Sequence, residues 1–83
     1  MVKAVTDDER TAIELAAATY RYPAAREAQA LEQLGLTPTR FWALVNRLID
    51  RPDVIAAYPT ETARLRRLRD ARRRQRSPRM SQP

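Results

Sequence analysis

The sequence has no cysteine, no histidine, and a single glycine among 83 residues. Without cysteine there is no disulfide and no thiolate nucleophile, and without histidine as well there is no Cys/His zinc site. The commonest general base is missing too. One glycine cannot build a glycine-rich phosphate loop. No apolar run approaches the roughly 20 residues of a membrane span. The opening MVKAVTDDER has no apolar signal-peptide core, which predicts a cytoplasmic chain. The acids Asp7, Asp8, Glu9, Glu14, Glu27, Glu32, Asp50, Asp53 and Glu61 fall mostly at helix starts or outer faces, where capping and solubility account for them. No HExxH or EF-hand spacing occurs. These absences predict a protein that is not an enzyme and that uses no cofactor and no metal.

What is present is positive charge, unevenly placed. The net charge is +6. From Arg64 onward there are nine arginines and one acid, Asp70, so that stretch carries +8 and residues 1–63 carry −2. A slightly acidic body with a strongly basic end suggests a polyanionic partner. Lys3 is the only lysine. That bias also fits a GC-rich genome, so part of it can reflect codon supply.

Eighty-three residues make one small domain, which buries only roughly 60% of its unfolded surface. The pattern is helical throughout. Thr6-Asp7-Asp8-Glu9 is a capping box, and a first helix to about Tyr20 places Ala12, Ile13, Ala16, Ala17 and Tyr20 inward. Tyr22-Pro23 breaks it, and Tyr20 and Tyr22 read as core-edge residues. A second helix from about Ala24 to Leu34 places Ala28, Leu31 and Leu34 inward and Arg26, Glu27, Gln29, Glu32 and Gln33 outward. Gly35 then sits where a helix C-terminus takes a left-handed residue. Thr37 caps a third helix, with Pro38 in its first turn. That helix carries Phe41, Leu44, Val45, Leu48 and Ile49 as a single apolar stripe. After the turn at Asp50-Arg51-Pro52-Asp53, one or two turns bring Val54, Ile55 and Tyr58 to the core. Thr60 caps a last helix anchored by Leu65 and Leu68, which is expected to fray beyond Arg69.

The expected fold is therefore all-α: a small bundle of about four helices containing a helix-turn-helix, followed by a basic C-terminal helix and tail. The domain is placed at residues 6–69 and an arginine-rich, partly disordered tail at residues 70–83. The stretch ALEQLGLTPTRFWALVNRLIDR, Ala30 to Arg51, reads helix, tight turn, helix, and the outer face of its second helix has no acid before Asp50. That is the pattern of a DNA-reading helix-turn-helix, though any helical hairpin shares the stripe and the turn glycine.

From helix 3 onward the chain resembles a family of small actinobacterial and actinophage proteins known as a domain of unknown function. The matching residues are Thr39-Arg40-Phe41-Trp42, Asn46-Arg47-Leu48-Ile49-Asp50-Arg51-Pro52, Val54 to Pro59, and Arg64 to Arg69. Upstream, Tyr22 and Arg26-Glu27-Ala28 also fit. The resemblance covers about residues 8–77. It implies a small helix-turn-helix-like fold and an actinobacterial or phage origin, and it assigns no function. Members often carry a tryptophan pair near positions 19 and 20, where this chain has Thr19-Tyr20.

The leading expectation is a DNA-binding protein, a small transcriptional regulator or phage control protein, cytoplasmic and nucleoid-associated. Its partner is double-stranded DNA, with helix 3 in the major groove presenting Thr37, Thr39, Arg40, Ala43, Asn46 and Arg47. The basic end, Arg64, Arg66, Arg67, Arg69, Arg72, Arg73, Arg74 and Arg76, is expected on the DNA backbone. Trp42 is read as an extension of the core. The alternative is a protein-interaction module whose helices bind a polymerase subunit or another regulator, with the basic end on an acidic partner or RNA. A homodimer is left open, and no membrane partner is expected.

Overall fold

The computed structural model describes residues 4–19 and 21–76. Among them the chain is all-α, a small bundle of five helices: α1 Asp7–Ala17, α2 Pro23–Leu34, α3 Pro38–Leu48, α4 Pro52–Ala57 and α5 Pro59–Arg76. The first begins with the capping box read from the sequence. The Thr6 N–H donates to Glu9 Oε1 at 2.9 Å, and the Glu9 N–H donates to Thr6 Oγ1 at 3.1 Å. Each of the other four helices begins on proline, which lacks the N–H that a first helical position leaves unpaired.

The α1 helix is the centre of the bundle. It packs against α2, α3 and α5, while α4 packs on α5 and α2 on α3. Its small residues Ala12 and Ala16 let neighbours approach closely, and Ile13 is fully covered. Around them lie Phe41, Val45, Leu48 and Ile49 from α3 and its end, Val54 from α4 and Leu65 from α5. Thr62 is the one buried polar residue among those described. Its hydroxyl donates to the Tyr58 carbonyl at 2.7 Å, so nothing is left unsatisfied.

Several expected positions move. Leu15 is buried as well as the Ala12/Ile13/Ala16 stripe, because a helix packed on three sides is covered on more than one face. That helix stops at Ala17 rather than near Tyr20, with Ala18 already extended, and Tyr20 lies outside the described residues. The inward face of α2 is not Ala28/Leu31/Leu34. Ala28 is exposed, Leu31 is 56% exposed, Leu34 is half-buried, and Ala30 is the buried residue. Arg26, expected outward, instead turns inward to bond the Leu15 and Ala18 carbonyls at the end of α1, which goes with this different face of α2. Leu44 is half-buried at the edge of the α3 stripe, and Ile55 is half-buried. The segment after Pro52 is a six-residue helix, which brings the total to five.

The last helix differs most. It starts at Pro59, not from a Thr60 cap, and runs 18 residues to Arg76 with no break after Arg69. Leu65 is buried, but Leu68 is 50% exposed, so leucines alone do not hold it. Side-chain contacts of Arg64, Arg66, Arg69 and Arg72 with the rest of the bundle do.

Candidate nucleic-acid interface

The arginines divide by what they touch. The C-terminus of α1 has no basic residue in its last turn and no glycine cap, so its carbonyls need donors from elsewhere. Arg26 of α2 supplies them: Nε donates to the Leu15 carbonyl at 3.0 Å and Nη2 to the Ala18 carbonyl at 2.7 Å. Arg64 of α5 donates to the Ala17 carbonyl. Arg51, at the start of α4, is held by two carboxylates. Its Nη1 lies 2.7 Å from Glu9 and its Nη2 lies 2.5 Å from Asp53. Arg51 holds the Glu9 and Asp53 carboxyls below their ordinary range, and those carboxyls in turn raise the guanidinium further. At the end of α3, Asp50 receives Arg69 at 2.8 Å and Arg66 at 3.7 Å. The Arg69 hydrogen bond holds the Asp50 carboxyl low.

Arg40, Arg47, Arg67 and Arg74 are different. All are exposed, and none makes a hydrogen bond or ion pair with another described side chain. Of the eight basic-end arginines expected on DNA, Arg64, Arg66 and Arg69 thus brace the bundle. Arg72 lies over an indole, Arg73 is exposed, and the side chain of Arg76 falls outside the described residues.

On α3, the Gly35 corner and the Thr37 cap set where the outer face begins. Gly35 has φ 68° and ψ 23°, the left-handed conformation, and its N–H donates to the Leu31 carbonyl at 2.9 Å. The Thr37 hydroxyl accepts from the Arg40 N–H at 3.4 Å. The helix is then fixed through Phe41, Val45 and Leu48, so Thr39, Arg40, Ala43, Asn46 and Arg47 are all exposed on a rigid support. Thr39, Ala43 and Asn46 line a cleft shared with α5, whereas Arg40 and Arg47 beside them do not.

Between α3 and α5 lies an open cleft of about 880 Å³. Its rim is Arg26, Arg64, Arg69, Arg72 and Arg73, its floor is apolar, and no carboxylate lines it. Trp42 stands in its wall, half-buried. The indole meets the Phe41 ring edge-on at 4.8 Å, and the guanidinium carbons of Arg26 and Arg72 lie 5.8 Å and 5.9 Å from its centre. The expected core contact of Trp42 is present, and so is a second role as a cleft wall.

A family model described as "Protein of unknown function (DUF3263)" matches residues 4–77. The chain belongs to the DUF3263 family. No curated protein and no solved structure matches it. In this DUF3263 chain the most distinctive part of the resemblance, Leu48-Ile49-Asp50-Arg51-Pro52, is a structural hub. Leu48 and Ile49 fill the core, Asp50 holds α5, Arg51 ties α1 to α4, and Pro52 starts α4. The Arg64–Arg69 run likewise includes the carbonyl donor to α1 and the Asp50 partners. Among the described residues of the DUF3263 chain, no group of three or more acidic side chains could hold a metal ion, and no helix is long and apolar enough to cross a membrane.

Proposed function

We propose that the protein binds duplex DNA, as a small transcriptional regulator or phage control protein, with α2, the Gly35 corner and α3 acting as a helix-turn-helix. In this reading α3 enters the major groove. The observation that carries it is the outer face of α3: Arg40, Arg47, Asn46 and Thr39 are exposed, make no contact that would hold them back, and sit on a helix pinned by Phe41, Val45 and Leu48. Arginine pairs with guanine and asparagine with adenine at base edges, and the Ala43 methyl suits a thymine methyl. The uncommitted arginines of α5, Arg67 and Arg74, together with Arg73, suit phosphates, which position the protein without reading sequence. A nucleoid-associated, cytoplasmic location follows from this reading.

The test is fluorescence anisotropy on a duplex selected from random sequence, with a salt series and a random-duplex control. Salt-dependent binding with a preferred site supports the proposal. A different observation favours a protein partner: Tyr22 and Leu31 of α2 are 64% and 56% exposed. Tight binding to a purified regulator or polymerase subunit, with none to duplex DNA, selects that reading instead.

A further inference from the structure

We infer that the α3–α5 cleft is a second nucleic-acid site, one that takes a short unpaired stretch of a strand, with a base against Trp42 and phosphates on Arg72 and Arg73. Thr39, Ala43 and Asn46 of the outer face of α3 also line it, while Arg40 and Arg47 do not, and the rest of its lining chemistry differs from that face. The rim is arginine, while Trp42, Leu65 and Leu68 give the floor an apolar character. The outside of a duplex offers phosphate and sugar and would leave such a floor unused. An unpaired strand offers both parts at once, charged phosphates and planar bases. A basic groove with an aromatic wall is the usual means of holding single strands without reading their sequence. The volume of about 880 Å³ falls within the range of small-ligand pockets and leaves room for more than one base.

The charge balance agrees. No carboxylate lines the cleft, and Asp50 beside it is already paired with Arg66 and Arg69. Arg26 is committed to the α1 carbonyls and stays in place beside the indole. Arg72 is exposed, and its guanidinium carbon lies 5.9 Å from the Trp42 ring centre. A cation over a half-buried indole is a weaker contact than a stacked base. An incoming base therefore takes the place of Arg72 on the ring, and Arg72 turns to the phosphate that comes with it. Leu68, half-exposed on α5, is covered in the same event.

Trp42 is the chain's one tryptophan, so its fluorescence reports this site directly. The experiment titrates the intact protein with a single-stranded oligonucleotide of about eight nucleotides, against the same sequence as a duplex and against inorganic polyphosphate. The expected result is saturable quenching of Trp42 by the single strand, with the duplex and polyphosphate quenching it little. Leu68→Glu puts a carboxylate on an exposed position without touching the core, and Arg72→Ala with Arg73→Ala removes the phosphate contacts. Each should weaken single-strand binding by about tenfold or more, and Leu68→Glu should do so with unchanged circular dichroism. Arg40→Ala with Arg47→Ala, two residues that do not line the cleft, should leave it unchanged, so this site and the duplex reading fail separately. The inference is overturned if the oligonucleotide binds without changing Trp42 fluorescence. It is also overturned if polyphosphate or an acidic peptide quenches as strongly, or if Leu68→Glu binds the single strand as well as the wild type.

Discussion

Arg51 carries more structure than any other charged side chain here, since one guanidinium holds the start of α1 and the start of α4 together. Its consequence is pH-dependent. Glu9 and Asp53 have folded-state pKa values below their ordinary ones, chiefly through hydrogen bonds from Arg51. The stability they add is complete above the ordinary carboxyl range, about pH 4, and is lost as the pH falls through the lower folded values. Arg51→Met should therefore lower the melting temperature at pH 7 and flatten its decline toward pH 3, as followed by thermal melts across that range. Parallel acid limbs for the two proteins would remove Arg51 from that role. Gly35 gives a second residue-scale prediction. A Cβ there would meet nothing within 4 Å, so substitution strains only the backbone. Gly35→Val should cost about 1–2 kcal/mol, and Gly35→Asn, which tolerates the left-handed region, clearly less. Equal losses for both in denaturant melts would mean that packing, not φ, makes the position glycine.

At the scale of elements, α3 is anchored by apolar burial along its length, and the C-terminal half of α5 is not. Leu48 is 1% exposed between α3 and its neighbours, so Leu48→Ala should cost about 2–5 kcal/mol, enough to unfold much of a domain this small. An unchanged melting temperature would contradict the packing of α3. For α5, the helix past Arg69 rests on Asp50 and Trp42 rather than on apolar burial. Asp50→Asn with Trp42→Leu should lower the far-ultraviolet helical signal without unfolding the bundle, and high salt should weaken the wild-type α5 in the same direction. The contrast between these two helices also marks how far the sequence could be read. The α3 stripe, the Gly35 corner, the Thr37 cap and the Thr6 capping box follow from local spacing and local chemistry, and each stands where expected. The face of α2 and the length of α5 depend on arginines that reach across the bundle. Arg26 bonds carbonyls 8 and 11 residues away, and Arg69 bonds an acid 19 residues away. No periodicity reports such contacts. The one usable signal was the bare end of α1, a helix C-terminus with neither glycine nor lysine to satisfy it.

For the molecule as a whole, the positive charge does two kinds of work. Arg26, Arg51, Arg64, Arg66 and Arg69 hold helices together, while Arg40, Arg47, Arg67 and Arg74 face solvent uncommitted. That Thr39, Arg40, Ala43, Asn46 and Arg47 are exposed on one helix was legible from the spacing of the apolar residues on α3. That Thr39, Ala43 and Asn46 share a cleft with α5, and Arg40 and Arg47 do not, was not legible, because it depends on the path of α5. Removing residues 70–83 takes away Arg72, Arg73, Arg74, Arg76 and Arg79. With about four of these on phosphates, the slope of log affinity against log salt should fall by roughly 3–4, at about 0.9 per phosphate, and sequence preference should survive. Loss of preference on this deletion, measured on preferred and random duplexes, would make the arginine stretch the reader.

The central claim, that the outer face of α3 reads base edges, is tested most directly by Arg47→Ala and Asn46→Ala, each assayed by anisotropy on the preferred duplex and on random duplex at fixed salt. Each substitution should cost on the order of 1–3 kcal/mol on the preferred site and much less on random sequence. If both variants keep the full wild-type preference between the two duplexes, α3 does not read DNA.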